Sequence, residues 1–319
     1  MQKDPAMLER IVSDTLRKIV SNVEQVIIGK RDAVELALCS LLCKGHVLIE
    51  DMPGVGKTSL VSAIAKSFDC SFQRIQFTPD ILPSDITGFS MYNQKSGEFE
   101  YKPGAIMAQI ILADEINRTS PKTQASLLEA MEENQVTVDG NTYPLPQPFT
   151  VFATQNPIEY LGTYPLPEAQ LDRFFMRISL GYPSAAEESA LLSRFKESSP
   201  LETLRPVSNA KALSAMQELV TQIYVDQRVN DYIVSIVRKT REDPDIALGA
   251  SPRASLALFR AAQAWAMYND RNYVSPDDVR KMAEAVIGHR LVLSQEAKLR
   301  QCTPAELITR IVTGLAVPQ

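Results

Sequence analysis

The chain has 319 residues, which favours two domains as a first expectation. Hydrophobic residues make up 45% of the sequence and charged residues 22%, which is ordinary for a globular protein with a core of useful size. The formal net charge of −5 argues against a protein that binds nucleic acid through bulk positive charge. Residues 1–10 lack an apolar signal region, and no apolar run reaches the length of a membrane span, so the sequence predicts a cytoplasmic protein.

The cysteines and histidines do not form a recognisable metal site. Cys39 and Cys43 fall on one face of a predicted helix, but no second cysteine cluster or nearby histidine accompanies them, which argues against zinc. We expect the four cysteines to be buried, reduced thiols. His46 and His289 are far apart in the sequence, and we expect a structural role for each.

Two helices precede the first strand. Apolar residues at helical spacing predict one helix over 7–26 and a second over 31–43. Ile28 and Gly29 lie in the break between them. An apolar pair before a glycine at this place fits either one wall of an adenine pocket or a turn in the core, and the sequence alone does not decide between the two.

Residues 47–58 carry the clearest chemistry. The apolar run 47–49 predicts a buried strand, a glycine-rich turn follows, and a helical pattern begins at Lys57. Glycines allow consecutive backbone N–H groups to converge on a phosphate, and the helix N-terminus adds unpaired donors. Lys57 can then reach the β- and γ-phosphates, and the Thr58 hydroxyl can bind Mg²⁺. Asp51 stands where the general pattern G-x-x-x-x-G-K-[ST] has its first glycine.

A second buried strand, predicted over 110–115, ends in two carboxylates. In parallel α/β sheets, ligands bind at the carboxyl ends of the strands. Asp114 can hold Mg²⁺ there, and Glu115 can orient and polarise an attacking water. An acidic pair that only caps the next helix is the alternative, but the combination with Lys57 and Thr58 favours a nucleotide-hydrolysing site.

Two hairpins are predicted within this α/β pattern. The first covers 89–101 and has balanced charges. The second covers 135–147 around Asp139-Gly140, a strong hairpin signal. It contains no Lys or Arg, which weighs against a loop that translocates DNA.

Three further strands are predicted over 71–77, 149–154 and 174–180, and a helix over 121–133. Asn156 follows the second of these strands, where its amide can hydrogen-bond a γ-phosphate or the attacking water, or simply cap a turn before proline. Arg173 lies at the start of the third strand, on a rigid element. On its own this position also fits an arginine that pairs with Asp172 or another local carboxylate.

From residue 183 onward the pattern predicts helices only, so a domain boundary is expected near 181–184. Arg253 falls in the first turn of a helix that begins with Ser251 as N-cap and Pro252 at the first position. A cation there opposes the helix dipole, so we expect Arg253 to have a partner elsewhere in the protein.

Four long stretches resemble the MoxR family of AAA+ ATPases: EDMPGVGKT (50–58), FTPDILPSDITG (77–88), LADEINRTSPKTQASLLEAME (112–132) and ATQNPIEYLGTYPLPEAQLDRF (153–174). The resemblance covers nearly the whole chain, and Asp51 is not unusual for the family. It implies an α/β fold, an AAA+ αβα sandwich with a central parallel sheet over 1–182, followed by an all-helical lid domain over 183–319. Residues 89–101 would be the helix-2 insert, and 135–147 the hairpin before sensor 1.

The same resemblance implies roles for individual residues. Lys57 and Thr58 match Walker A, Asp114 and Glu115 Walker B, Asn156 sensor 1, Arg173 the arginine finger and Arg253 sensor 2. The expected catalytic residues are therefore Glu115, Asn156, Arg173 and Arg253. The residues expected to bind ATP are Ile28, Gly29, Pro53, Gly54, Val55, Gly56, Lys57, Thr58, Ser59 and Asp114. Mg²⁺ is assigned to Thr58 and Asp114.

The resemblance further implies Mg²⁺-dependent ATP hydrolysis by a homo-oligomeric ring, usually a hexamer. Such rings are thought to remodel or mature partner protein complexes, often with a partner that carries a von Willebrand factor A domain. No nucleic acid is expected as a partner. The alternatives are a nucleotide-gated binding module without significant turnover, a nucleic-acid motor and a chelatase-type motor subunit.

Overall fold

A computed structural model of the chain describes residues 5–156, 162–194 and 200–318, with side chains from residue 11 onward. The described α-helices are α1 (Pro5–Val23), α2 (Arg31–Leu42), α3 (Lys57–Ser67), α4 (Pro83–Thr87), α5 (Pro121–Glu133), α6 (Glu168–Leu171), α7 (Ala185–Arg194), α8 (Pro200–Thr203), α9 (Ala210–Val220), α10 (Gln227–Glu242), α11 (Pro252–Tyr268), α12 (Pro276–Ile287), α13 (Gln295–Leu299) and α14 (Pro304–Gly314). The described strands are β1 (Val47–Glu50), β2 (Phe72–Gln76), β3 (Gly88–Asn93), β4 (Glu98–Pro103), β5 (Ile110–Asp114), β6 (Gln135–Val138), β7 (Asn141–Pro144), β8 (Thr150–Gln155), β9 (Met176–Ile178), β10 (Ile246–Leu248) and β11 (Val292–Leu293).

A five-stranded sheet in the order β2-β5-β8-β1-β9 forms the centre of the molecule. Every neighbouring pair in it is parallel, as the sequence predicts. Gln76 at the end of β2 pairs with Asp114 at the end of β5, and Glu50 at the end of β1 pairs with Gln155 at the end of β8. The carboxyl ends of these four strands therefore meet at one edge of the sheet.

Alternate residues of β5 point to opposite sides of the sheet, and all five are buried. Ile110 and Leu112 belong to a hydrophobic cluster that includes α1, α2 and α3. Ile111 and Ala113 belong to a second cluster that includes α5. A strand buried on both faces is typical of a sheet covered by helices on each side, and this confirms the predicted αβα sandwich.

The helices after residue 183 form the predicted lid, which packs against α1 and α2. Leu258 of α11 belongs to the same hydrophobic cluster as Leu38 of α2. Gln217 of α9 donates a buried hydrogen bond of 2.7 Å to the carbonyl of Leu41. The lid and the sheet-containing base thus share one continuous core on this side. Among the described residues, no helix combines the length and apolarity that a membrane span requires.

Three local features differ from the sequence expectations. The lid also contains a two-stranded antiparallel ribbon, β10–β11, whose strands are too short to show a strand period in the sequence. The five-residue helix α4, which begins at Pro83, is not among the elements predicted from the sequence. Strand β9 covers only Met176–Ile178, so Arg173 lies in the turn between α6 and β9 and not at the start of the strand.

His46 links the central sheet to helix α5. Its Nδ1 accepts a hydrogen bond of 3.0 Å from the backbone N–H of Val151 in β8. The proton is therefore on Nε2, which donates to the carbonyl of Met131 in α5 at 2.9 Å. The ring is buried, and burial lowers the pKa of His46 to about 4. The predicted structural role of this histidine is confirmed.

The buried His46 predicts a loss of stability in acid. The unfolded chain binds a proton at this side chain near pH 6.5, whereas the folded chain does so only near the lowered pKa of about 4. Its contribution is therefore complete above about pH 6.5 and is lost as the pH falls toward about 4, by up to about 3 kcal/mol. Urea unfolding at about pH 7 and about pH 5 measures the difference.

The matched variant is His46→Gln, which keeps one donor and one acceptor but does not titrate. His289, which is also buried with a lowered pKa, is present in both proteins and cancels in the comparison. We expect a smaller drop in the free energy of unfolding between the two pH values for the variant. Equal drops would contradict the assignment to His46.

Candidate active site

The phosphate-binding loop lies between β1 and α3. Gly54 and Gly56 have φ values of +82° and +95°, in the left-handed region that favours glycine. Gly56 is the residue directly before α3, so the loop delivers Lys57 and Thr58 to the first turn of that helix. The Nζ of Lys57 donates a hydrogen bond of 2.7 Å to the main-chain oxygen of Asp51. The side chain is therefore folded back over its own loop.

The two carboxylates at the end of β5 are organised by Thr154 of β8. The Thr154 hydroxyl donates to Oδ1 of Asp114 at 2.6 Å and accepts from the backbone N–H of Glu115 at 2.8 Å. Glu115 has a φ of +59°, a conformation that few non-glycine residues adopt, and it ends the strand. The Thr154 hydroxyl thus fixes both the carboxylate of Asp114 and the backbone of Glu115.

Strand β2 supplies two polar side chains to the same carboxylates. Arg74 donates to Oδ2 of Asp114 from Nη2 at 2.6 Å and from Nε at 3.0 Å. Gln76 donates to Oε2 of Glu115 at 2.9 Å. None of Arg74, Gln76 and Thr154 is predicted as a site residue from the sequence. The spacing of Arg74 and Gln76 puts both on one face of β2, but only the strand order shows that this face borders the carboxylates.

One pocket collects most of the residues predicted to bind nucleotide and metal. It is lined by Pro53, Gly54, Gly56, Lys57, Thr58, Ser59, Arg74, Asp114, Glu115 and Asn156. Partial burial lowers the pKa of Lys57, although the carboxylates of Asp51, Asp114 and Glu115 act in the opposite direction. The pocket therefore combines a partly dehydrated ammonium group with hard oxygen donors, a chemistry that suits phosphate and Mg²⁺.

Three residues of the predicted ATP-binding set lie differently. Val55 packs against the hydrophobic core. Gly29, with a φ of +72°, lies against Glu187 of α7, whose carboxylate would overlap with any Cβ at this position. Ile28 is next to it and partly exposed. It is the neighbouring Ile27 that reaches the loop, since its Cδ1 is 3.5 Å from where a Cβ of Gly56 would be.

Arg173 and Arg253 are not among the residues that line this pocket, and they share one partner elsewhere. Both contact Glu132 near the end of α5: Arg253 Nη2 at 2.7 Å and Arg173 Nη1 at 3.4 Å. The partner expected for Arg253 is therefore Glu132. Both guanidinium groups remain partly exposed. The geometry presents two cations side by side on the surface, held by one carboxylate.

Asp172 connects the turn that carries Arg173 to the helix that carries Arg253. It accepts from the hydroxyl of Ser251, the N-cap of the helix that carries Arg253, at 2.9 Å. It also accepts from Nε of the buried Arg290 at 2.8 Å. Asp172 directly precedes Arg173 in the chain. The turn that carries one arginine is thus tied to the lid helix that carries the other.

Comparison with known proteins agrees with this architecture. Residues 46–176 match the model of the ATPase family associated with various cellular activities (AAA), and residues 238–311 match the AAA lid domain. The chain is 54% identical to the uncharacterized protein YeaC of Bacillus subtilis over 95% of each chain. It is 42% identical to chaperone MoxR1 of Mycobacterium tuberculosis over 96% of this chain and 83% of the relative.

A crystal structure of a Cytophaga hutchinsonii protein, provisionally described as an ATPase, superposes with a TM-score of 0.90. The sequences are 35% identical, and the match covers 99% of this chain and 97% of the other. The sheet, the lid and these matches together define an AAA+ ATPase fold. Within that class, the chain belongs to the MoxR family, as its relatives from Mycobacterium tuberculosis and Paracoccus denitrificans show.

The bridging hydroxyl of Thr154 leads to a stability prediction with a control on the same strand. Thr154→Val leaves Oδ1 of Asp114 and the N–H of Glu115 without their partner, which costs about 1–3 kcal/mol in the free energy of unfolding. Thr150 of β8 is equally buried, but its hydroxyl has no hydrogen-bond partner among the described residues. Thr150→Val should leave the stability unchanged or raise it. Denaturant unfolding of both variants measures this, and equal losses would contradict the role of Thr154.

Proposed function

We propose that the chain hydrolyses ATP with Mg²⁺ in a ring of identical subunits and uses the energy to remodel partner proteins. One observation carries the proposal. A pocket with Lys57, Thr58, Asp114 and Glu115 occurs together with a separate pair of surface arginines held by Glu132. Each subunit thus has one nearly complete site and the cations that a neighbour's site needs.

The loop and the end of β5 suit a Mg²⁺-bound triphosphate. The backbone N–H groups after Gly54 and the start of α3 are the donors for the phosphates, and Lys57 turns from the Asp51 carbonyl to the β- and γ-phosphates. Thr58 and Asp114 would hold Mg²⁺, directly or through water, and the ion when bound neutralises phosphate charge. Arg74 occupies Oδ2 of Asp114, so it shares or releases this oxygen when the ion binds.

Glu115 is proposed as the general base that orients the attacking water. Its carboxylate is paired with Gln76 at 2.9 Å and with Nε of Arg118 at 3.3 Å. Both pairings fix the position of the carboxylate at the end of β5. Asn156 is mostly buried and lines the same pocket, where its amide is proposed to contact the γ-phosphate or the water.

Arg173 and Arg253 are proposed to act together on the nucleotide of the neighbouring subunit. Glu132 and Asp172 hold them as one unit, so both would reach the same phosphate. An arginine supplied in this way contributes roughly 10³–10⁵ in rate in other nucleotide hydrolases. If both arginines act on the neighbouring subunit, neither has to reach the pocket of its own subunit, whose lining includes neither of them.

The remodelling step is supported by a relative and by one surface. A relative 42% identical to this chain is named a chaperone. The hairpin β3–β4 exposes apolar side chains, among them Tyr92 and Phe99, which are 53% and 73% exposed with ring centroids 5.4 Å apart. Exposed apolar surface of this kind often contacts other proteins. A hexameric ring and a partner with a von Willebrand factor A domain are part of the proposal and rest on the family resemblance.

Glu115→Gln tests the proposed base. The amide keeps the size of the side chain but cannot take a proton, so we expect turnover to fall by about 10²–10⁴ with ATP binding retained. Phosphate release measures turnover, and a fluorescent ATP analogue measures binding. Full turnover in the variant would contradict the role of Glu115. Loss of both binding and turnover would show that the substitution damaged the pocket.

Mixing two inactive variants tests whether the site is shared between subunits. Arg173→Ala alone should lose about 10³ or more in turnover, because its pocket lacks the neighbour's cation. Mixed with Glu115→Gln subunits, it should regain activity, because an intact Glu115 then meets an intact Arg173 across an interface. Arg228→Ala, at an exposed arginine paired with Asp226, is the control that should keep full activity. Absence of recovery in rings that exchange subunits would contradict the shared site.

The turnover of the wild type per subunit should also rise with protein concentration over the range in which the rings assemble. Sizing by light scattering at the same concentrations shows where assembly occurs. Full turnover by monomers would mean that the site is complete within one chain.

A further inference from the structure

Asp51 is the departure from the general phosphate-loop pattern, and its side chain does not line the pocket described above. It is buried and directed toward the end of β9. Its Oδ2 accepts from the backbone N–H groups of Leu180 at 2.5 Å and Gly181 at 2.8 Å, and from the Ser179 hydroxyl at 3.1 Å. One carboxylate oxygen thus gathers three donors from a single short segment.

The main chain of the same residue contacts the catalytic side of the loop. The carbonyl oxygen of Asp51 accepts from Nζ of Lys57 at 2.7 Å. Its N–H donates to the carbonyl of Gln155, at the end of β8, at 3.3 Å. Asp51 is therefore shared between the lysine that would bind the phosphates and the segment that leaves the sheet.

That segment, residues 179–184, connects the base with the lid, and we call it the connector. It continues into α7, whose N-terminus is capped by a capping box between Ser184 and Glu187. Nζ of Lys30 donates to the carbonyl of Tyr182 at 2.8 Å, and Glu187 lies against Gly29. The connector and the start of α7 therefore run alongside the loop and the 27–30 turn.

We propose that Asp51 is a positioning residue that couples the phosphate-binding loop to the connector. When Lys57 turns to the phosphates, the Asp51 carbonyl loses its hydrogen-bond donor. The resulting shift of Asp51 then moves Leu180 and Gly181, because their N–H groups are bonded to its carboxylate. A glycine at this position leaves the loop itself intact but removes the three contacts with the connector. The inference rests on the proposed binding of nucleotide at this loop.

Amide hydrogen exchange of the full chain, with and without Mg²⁺-ATP, measures the protection of the loop and of the connector in the same sample. In the wild type, ATP should slow exchange in peptides that cover 54–59 and, by about fivefold or more, in peptides that cover 179–187. Asp51→Gly restores the general loop pattern. It should keep the slowing at 54–59 and lose most of it at 179–187. Asp51→Asn keeps one oxygen acceptor and should give an intermediate response.

The control is Asp278→Asn, in the lid. Asp278 is buried and accepts from the Ser275 N–H at 2.7 Å and from Arg271, so its loss tests the effect of removing a buried carboxylate remote from the loop. Its exchange response to ATP should match the wild type at both 54–59 and 179–187.

The outcomes separate the two proposals. No response at 54–59 in the wild type would overturn nucleotide binding at this loop. A response at 54–59 without one at 179–187 in the wild type would overturn the coupling alone, as would an undiminished response in Asp51→Gly. If the glycine variant does not fold, Asp51→Asn decides the question, and an undiminished response in that variant overturns the coupling.

Discussion

The candidate site depends on the pairing of two carboxylates at the end of β5 with donors from both neighbouring strands. Two adjacent negative charges at the edge of a buried sheet are costly unless each has fixed partners. Thr154 from β8 provides them on one side, and Arg74 and Gln76 from β2 on the other. These contacts hold the carboxylates in place before any ligand binds, which reduces the reorganisation needed for chemistry.

The second constraint is that two like charges on the surface, Arg173 and Arg253, must be stabilised within one subunit. Arg173 and Arg253 would repel each other on the surface without a shared counter-ion. Glu132 provides that charge, while Asp172 and the buried Arg290 fix the distance between the turn and the lid helix. The arrangement keeps both guanidinium groups ordered and partly exposed, and each has N–H donors beyond the one that contacts Glu132.

The sequence predicts those parts of the site whose chemistry is local. The glycines, Lys57 and Thr58 lie within one loop, and Asp114 and Glu115 end one strand, so spacing alone brings each group together. Arg74, Gln76 and Thr154 belong to strands that are far apart in the sequence, and only the order β2-β5-β8 makes them neighbours. That Arg173 and Arg253 share Glu132 depends on how the lid packs, which no local pattern specifies. The ribbon β10–β11 could not be predicted, because strands of three and two residues are too short to show a hydrophobic period.

The hydrophobic cluster that runs from α1 and α2 into α11 limits how the lid can move relative to the base. Leu38 and Leu258 belong to one continuous core, and Gln217 is bonded to the backbone of α2 inside it. Full separation of the two halves would expose this core and the buried polar atoms to water. The lid is therefore suited to small sliding or rocking movements of packed helices, a shear and not a hinge. A base domain cut off at the connector would lose the cover of its first two helices and tend to aggregate.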